Sequence, residues 1–376
     1  MMKCLHVLPM NTLSGAEKLA LILCKNMNKY EPIVVCGGEP LKTIFEENGI
    51  KSYSINFTKN IFRNANSLKK IIKENNIEIV HAHDNNASIN SYLTKRLFRL
   101  NFKLISHIHN CYPWLEINSI QKKIDKVFRK RYNHNIACGS LVYDYYIKNT
   151  DYVNDKNITI LSNAIDICDI KKYVNKNDNL REKFNIPGDK MILGFVGRLS
   201  EQKGIIPFIR EISFNKEKFK DCKFLLVGSG EQEDKVKNLI KELDLEDLFI
   251  LTGYQKNIYR FYPIIDILFL PSLYEGLPMV ILEAMSFGKS IVSMDVGSIN
   301  EVIENNENGI LVESNNLSEF IEQLDLLKSN NQKIEKFRIN SIKTIEKNYD
   351  IKIYINKLNS LYDRICKKKW IMNVEG

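Results

Sequence analysis

Two rhythms alternate along the chain. Short apolar runs read as strands: "CLHVLP" (4–9), "PIVVC" (32–36), "KSYSI" (51–55), "IEIVHAH" (77–83), "KLISHIH" (103–109), "HNIAC" (134–138) and "NITIL" (157–161). Segments of helical period separate them, such as "SLKKIIKEN" (67–75) and "SIQKKIDKVFRKRY" (119–132). This βαβ punctuation predicts a parallel sheet with helices on both faces. A polar stretch, residues 166–190, breaks the rhythm and is the predicted linker. The alternation then restarts with "MILGFVG" (191–197), "CKFLLVG" (222–228), "LFILTG" (248–253), "DILFLPS" (266–272), "KSIVSM" (289–294) and "GILVE" (309–313). After residue 314 the pattern is helical only.

The expected fold is therefore α/β, with two Rossmann-like, doubly wound domains in tandem, residues 1–175 and 185–348. In open sheets of this kind ligands bind beyond the carboxyl ends of the strands. Two such lobes facing each other would take a ligand in the cleft between them. Most polar motifs of the chain fall at those strand ends.

Composition narrows this picture only a little. A chain of 376 residues with 44% apolar and 26% charged positions fits a soluble protein of two domains, or three. No run of about 18 apolar residues predicts a membrane span. The N-terminus alternates like a strand and lacks a long apolar core and cleavage site, so the expected location is the cytosol. Eight scattered cysteines with no C-x-x-C pair predict reduced thiols rather than disulfides or a zinc site. The net charge of +9 suits nucleic acid, an anionic membrane or phosphate-bearing ligands, so local clusters have to decide.

The densest cluster is "SLYEGLPMVILEAMSFGKSIV" (272–292). A buried strand ends, "LYEG" follows, and Pro278 suits the first turn of a helix that stops at Gly288. First-turn N–H groups lack internal partners and carry partial positive charge. Glu275 precedes that anion-attracting end and Glu283 lies inside the helix. Each carboxylate could hold a vicinal diol, one of a sugar and one of a ribose, with a diphosphate between them. Alternatively, Glu283 is a solvated helix residue. "GFVGRLSEQKG" (194–204) puts Gly197, Arg198 and Lys203 after a strand and before a helix, which suits a diphosphate or, more plainly, a βα turn with surface cations. It meets neither the dinucleotide nor the P-loop fingerprint.

These motifs together resemble the retaining glycosyltransferases of family 4, which have the GT-B fold. The hallmark Glu-x7-Glu stands as "EGLPMVILE", flanked by "PS", "AMSFGKSIV", "GRL…KG" and "VGSGEQE" (227–233). The resemblance covers nearly the whole chain. It implies that Arg198 and Lys203 neutralise a donor diphosphate and that Glu283 holds the ribose. Glu275, with the backbone of Gly276, Leu277, Pro278 and Met279, would hold the donor sugar. Tyr254 and Gln255 would lie near the base. In the first lobe "SGAEK" (14–18) matches the family's Gly-Gly-x-Glu with Ser14 in place of the first glycine, and Gly15 would approach the donor phosphate and the acceptor. "HIHN" (107–110) implies that His109 reaches the reacting sugar. "SNAID" (162–166) carries Ser162 and Ala164 where the family has Pro and Gly. The fold also implies a last helix, within 349–376, crossing back to the first domain.

The implied activity is a retaining transfer of a hexose or N-acetylhexosamine from a nucleotide-diphosphate sugar, UDP being favoured. The implied acceptor is a polyprenyl-diphosphate-linked glycan of bacterial surface polysaccharide synthesis (capsule, exopolysaccharide or lipopolysaccharide). The alternative is a sugar-nucleotide epimerase of the same shape. A solute-binding protein would need export, and no module for nucleic acid is found. His81 and His83 share one strand face as a metal pair would, but no third ligand beyond Asp84 is evident and Asp-x-Asp is absent, so no metal or other cofactor is expected. The stretch 119–132, with six basic residues and an apolar stripe of Ile120, Ile124, Val127 and Phe128, predicts either peripheral contact with the inner face of an anionic membrane or a helix packed on its own sheet. The basic chain end with Trp370 adds to the first reading.

Overall fold

The structure, a computed structural model, describes residues 1–174 and 179–367. The predicted basic end with Trp370 and residues 175–178 of the predicted linker lie outside the described residues.

Among the described residues thirteen strands form, one in each predicted apolar run, with ends trimmed by up to two residues or extended by two. The first seven are β1 (Met2–Leu8), β2 (Tyr30–Cys36), β3 (Ser52–Ser54), β4 (Ile79–His83), β5 (Lys103–Ile108), β6 (His134–Ala137) and β7 (Ile158–Ile160). They make one parallel sheet in the order β3-β2-β1-β4-β5-β6-β7. The remaining six are β8 (Met191–Val196), β9 (Cys222–Val227), β10 (Phe249–Leu251), β11 (Ile267–Leu270), β12 (Ser290–Met294) and β13 (Ile310–Val312). Their sheet is also parallel, in the order β10-β9-β8-β11-β12-β13. Both orders reverse direction once, next to the first strand of the unit. The crevices at β1/β4 and at β8/β11 are the topological switch points, where this architecture binds ligands.

The strands are rich in apolar residues because helices cover both faces of each sheet, with buried His, Ser and Asn set among them in β1, β4, β5 and β6. Leu5, Val7, Ile33, Val35, Val80, Ala82 and Leu104 fill one face of the first sheet, and Phe195, Phe208, Phe224 and Phe269 interlock in the second. The contacts divide the chain into two compact units, Met1–Ala164 with the terminal helix, and Ile165–Asp350. That helix, Ile351–Lys367, packs on the first unit, where Asp363 meets Lys29 Nζ at 2.5 Å and accepts from Tyr30 Oη at 2.7 Å.

The structure adds detail to two expectations. The polar stretch 166–190 is not an open tether: short helices Ile167–Lys171 and Leu180–Lys183 form in it, and Ile167, Ile170, Leu180 and Ile186 are buried. Isolated apolar anchors at wide spacing dock a polar segment without giving it a periodic pattern. Of the apolar stripe on the basic helix, Ile120–Arg129, Phe128 packs inward and the other three residues do not. The helix docks through Asp125 and Arg129, one turn apart and almost fully buried. The Arg129 guanidinium donates to both carboxylate oxygens of Asp125 at 2.9 Å, to Asn135 Oδ1 at 2.9 Å and to Ser106 Oγ at 3.3 Å, and Tyr152 Oη donates to Asp125. Satisfying that buried pair on every side turns Ile120, Ile124 and Val127 to solvent, 73%, 42% and 52% exposed, while Phe128 stays partly buried against the core.

Candidate active site

In the second unit the chemistry gathers at the β8/β11 switch point. After β8 the chain runs through the short turn Glu201–Lys203 to Gly204, which opens helix Ile205–Phe214. Gly204 has φ +66°, and a Cβ there would lie 2.1 Å from the Pro271 carbonyl oxygen, so only glycine lets this loop lie against the end of β11. The two loops are then stitched together. Leu273 N donates to the Gln202 carbonyl at 2.8 Å, and Gln202 Nε2 donates to the Tyr274 carbonyl at 2.9 Å.

That stitching brings Lys203 onto Glu275. Lys203 Nζ lies 2.5 Å from Glu275 Oε1, Ser272 Oγ donates to the same oxygen at 2.7 Å, and Gln202 Nε2 reaches Oε2 at 3.5 Å. The side chains are 15% and 5% exposed. Sequence reading gave these residues separate partners, a diphosphate and a sugar; in the structure they hold each other. A charge pair this sheltered is stronger than a surface bridge, and its members are fixed in place before any ligand arrives.

The helix behind it is Met279–Ser286. Pro278 is its N-cap residue rather than its first-turn residue, and no side chain caps the end. Its first-turn amides are therefore not taken by a side-chain cap and favour an anion. Gly276 is pinned from behind, its carbonyl accepting from Ser298 N at 2.9 Å. Leu277 and Met279 are buried.

Glu283 is fully buried, which rules out the solvated reading. Tyr262 Oη donates to Glu283 Oε2 at 2.6 Å, and the Tyr262 ring stacks on Phe287 at 5.1 Å. Tyr262 escaped the sequence reading because it precedes β11 in an unremarkable aromatic stretch. Arg198 is exposed and pairs with Glu231 at 2.9 Å. Tyr254 is exposed, and Gln255 donates from Nε2 to the Thr252 carbonyl at 2.8 Å; both follow the edge strand β10.

In the first unit, Gly15 opens helix Gly15–Asn26 after β1, with Ser14 at its N-cap. Ser14 Oγ donates to the Glu17 carboxylate three residues on, and that carboxylate is buried. A Cβ on Gly15 would meet nothing within 4 Å. Gly15→Ala is thus expected to keep the melting temperature within about 2 °C, which thermal unfolding checks. Beyond β4, Asp84 sits at φ +82° and caps the next helix by accepting from Ala87 N at 3.0 Å. Burial pushes its carboxyl up to about 6. Asp84 is thereby committed to the helix and is not the third metal ligand the sequence left open.

His109 follows β5 and is half-buried. Its Nε2 lies 3.2 Å from His83 Nδ1, and burial pushes its imidazole down to about 4, so it is neutral at pH 7. It belongs to a group of five neighbouring imidazoles with His6, His81, His83 and His107, which sequence reading reduced to one pair.

Comparison with known proteins fits this geometry. Residues 13–168 match the family described as Glycosyltransferase Family 4, and residues 176–344 match Glycosyl transferases group 1. The chain is 24% identical, over 86% of its length and 87% of the relative's, to the Escherichia coli UDP-Gal:alpha-D-GlcNAc-diphosphoundecaprenol alpha-1,3-galactosyltransferase. Among solved structures it is similar to a glycosyltransferase from Rickettsia africae, with TM-score 0.84 and 23% identity over 97% of this chain and 99% of the other. It is also similar to Anabaena Alr3699/HepE in complex with UDP, with TM-score 0.83 and 18% identity over 96% and 100% of the two chains.

Proposed function

Since this chain belongs to the glycosyltransferases, with a Family 4 part followed by a group 1 part, we propose that it moves a hexose or N-acetylhexosamine from a UDP-sugar to a lipid-linked glycan, with retained configuration. The observation that carries this reading is the sheltered Lys203–Glu275 pair at the β8/β11 switch point, beside a helix end without a side-chain cap. An ammonium and a helix end without a side-chain cap suit a diphosphate leaving group, whose charge grows in the transition state. A fixed carboxylate next to them suits sugar hydroxyls.

In this reading Lys203 turns from Glu275 towards the diphosphate or shares itself between both. Arg198, already exposed, exchanges Glu231 for phosphate. The backbone from Gly276 to Met279 lines the sugar, and Tyr254 and Gln255 flank the base. Glu283 meets the ribose only in a donor-bound form in which the side chains now covering it give way. From the first unit, Gly15 approaches the phosphate or acceptor, and neutral His109 offers a hydrogen bond to the reacting sugar. Charge stabilisation comes from Lys203, Arg198 and helix amides; the proposed transfer step is not routed through a metal. The UDP-galactose and undecaprenyl-linked acceptor in the name of the Escherichia coli relative support this choice of donor and acceptor class.

The test is incubation with UDP-hexoses and UDP-N-acetylhexosamines, with and without a polyprenyl-diphosphate-linked sugar. Release of UDP that depends on the acceptor, with an α-linked product from an α-linked donor, is expected. Conversion of the donor sugar without any acceptor would establish the epimerase instead.

Membrane contact is part of the proposal. No helix among the described residues is long and apolar enough to cross a membrane. The exposed ridge of Ile117, Ile120, Ile124 and Val127, flanked by the basic residues of 122–131, suits the surface of an anionic bilayer. Such a surface would place the protein at the inner face of the cell membrane, where a lipid-linked acceptor is presented. Co-sedimentation with phosphatidylglycerol vesicles is expected to exceed that with phosphatidylcholine, and to fall at least tenfold when Ile120, Ile124 and Val127 are all replaced by Ser. Equal binding by that variant would remove the helix from the account.

A further inference from the structure

The sheet register assembles five histidines on one face of the first unit. His6 of β1 lies opposite His81 of β4, and His83 opposite His107 of β5. Positions 81 and 83, like 107 and 109, are two apart and so project to the same side of the sheet. The rings lie close together, His81 and His83 stacked at 4.6 Å and His107 and His109 tilted at 4.1 Å. His6, His81, His83 and His107 are buried, and His109 alone reaches the half-exposed edge. The terminal helix covers the group, with Tyr362 Oη 2.6 Å from His81 Nδ1. One nitrogen from each of His83, His107 and His109 lies within 4.8 Å of the others.

A neutral imidazole has one N–H and one lone pair, so the protons can be counted. Four of the rings are fully buried, and their partnered ring nitrogens face other imidazoles or Tyr362 rather than a carboxylate, so each ring is counted as neutral. His107 Nδ1 lies 3.2 Å from His81 Nε2, and His83 Nε2 lies 3.1 Å from His6 Nδ1. If His107 and His83 donate in these two contacts, His81 and His6 act as the outer acceptors that orient metal-bound imidazoles. Two lone pairs are then left. One is on His107 Nε2, which is buried and has no hydrogen-bond partner. The other is on His83 Nδ1, which faces His109 Nε2 at 3.2 Å. That separation is close to the roughly 3.3 Å edge of a tetrahedral site with metal–nitrogen bonds of about 2.0–2.1 Å. His6 Nε2 stays unpartnered in this assignment.

We propose that His83 Nδ1, His107 Nε2 and His109 Nε2 form a three-imidazole site for a transition-metal dication of the zinc class, with the fourth position on the His109 side open to water. The all-nitrogen set suits zinc, cobalt or nickel and disfavours magnesium and calcium, which want oxygen. An ion held there takes the His109 lone pair, so metal and reacting sugar compete for His109. This last consequence rests on the role proposed above for His109; the binding itself does not.

The experiment uses the untagged full chain, stripped with a chelator and titrated with Co²⁺. Visible d–d bands of a four-coordinate site with three nitrogens and one water oxygen, saturating at one ion per chain and abolished by one equivalent of Zn²⁺, are expected. X-ray absorption of the zinc-loaded chain should count three imidazoles at about 2.0–2.1 Å. His107→Ala should lose the bands, whereas His134→Ala, outside the group, should keep them. The absence of Co²⁺ bands in the wild-type chain, or fewer than two imidazoles around zinc, would leave the five rings as a hydrogen-bonded cluster and overturn the proposal. Neither readout depends on transferase activity.

Discussion

Lowering the pH from 7 to 5 is expected to unfold the first unit while the second stays folded. All six histidines lie in the first unit, and four imidazoles are fully buried in one group. Burial holds them below the ordinary value of 6.5, to about 4 for His6 and well below 6.5 for His81, His83 and His107. The unfolded chain binds their protons near 6.5 and the folded chain does not. The stability they confer is therefore complete above 6.5 and is lost as the pH falls towards the folded values. Each proton taken up on unfolding is worth about 1.4 kcal/mol per pH unit, so four together give a slope of roughly 5 kcal/mol per unit below 6.5. A domain stable by about 5–15 kcal/mol does not survive that slope for long. Asp84 opposes it: its carboxyl, raised to about 6, makes the folded form bind a proton first, so its contribution is lost as the pH rises through 6. One opposing group does not balance four. Hydrogen exchange followed peptide by peptide should show β1, β4 and β5 losing protection near pH 5 while β8 and β11 keep theirs. Protection retained throughout the first sheet at pH 5 would contradict the buried neutral cluster.

Lys203→Ala is expected to damage both the second unit's stability and transfer. Glu275 is nearly inaccessible to water, and removing its cation leaves a buried carboxylate with only the Ser272 and Gln202 side chains. Breaking a buried pair from one side costs roughly 3–5 kcal/mol. Losing the cation proposed to meet the leaving diphosphate is expected to lower turnover by about 10²–10³. The two effects separate in the double variant Lys203→Met with Glu275→Gln. Replacing both partners removes the stranded charge, so most of the stability should return while transfer stays low. Chemical denaturation and acceptor-dependent UDP release measure the two sides. Single-variant losses below about 1 kcal/mol and within threefold in turnover would mean that the pair neither holds the loops nor meets the donor.

Local pattern made the strands legible. A strand buried on both faces is an apolar run wherever it lies, so all thirteen could be read from residues next to one another. What the runs could not reveal was which strands become neighbours. Lys203 and Glu275 are 72 positions apart and meet only because β11 inserts beside β8. The histidine group had the same limit: His81 and His83 could be paired from their spacing, but His107, His109 and His6 arrive from the strands on either side. Charge misled in the opposite way. Asp125 and Arg129 read as two more polar positions on a basic helix, since nothing local says that a salt bridge will be the buried face. Glu283 stands out in the sequence as the second acid of the Glu-x7-Glu motif, and it is buried, but its partner Tyr262 carries no signal of its own.

The most direct test of the donor site is calorimetry of the full chain with UDP and UDP-sugars, and with GDP-sugars as the comparison. The account predicts one nucleotide bound per chain, tighter for the UDP series and weakened at least tenfold by Lys203→Ala. Failure of any UDP- or GDP-sugar to bind the folded wild-type chain at millimolar concentration would contradict it.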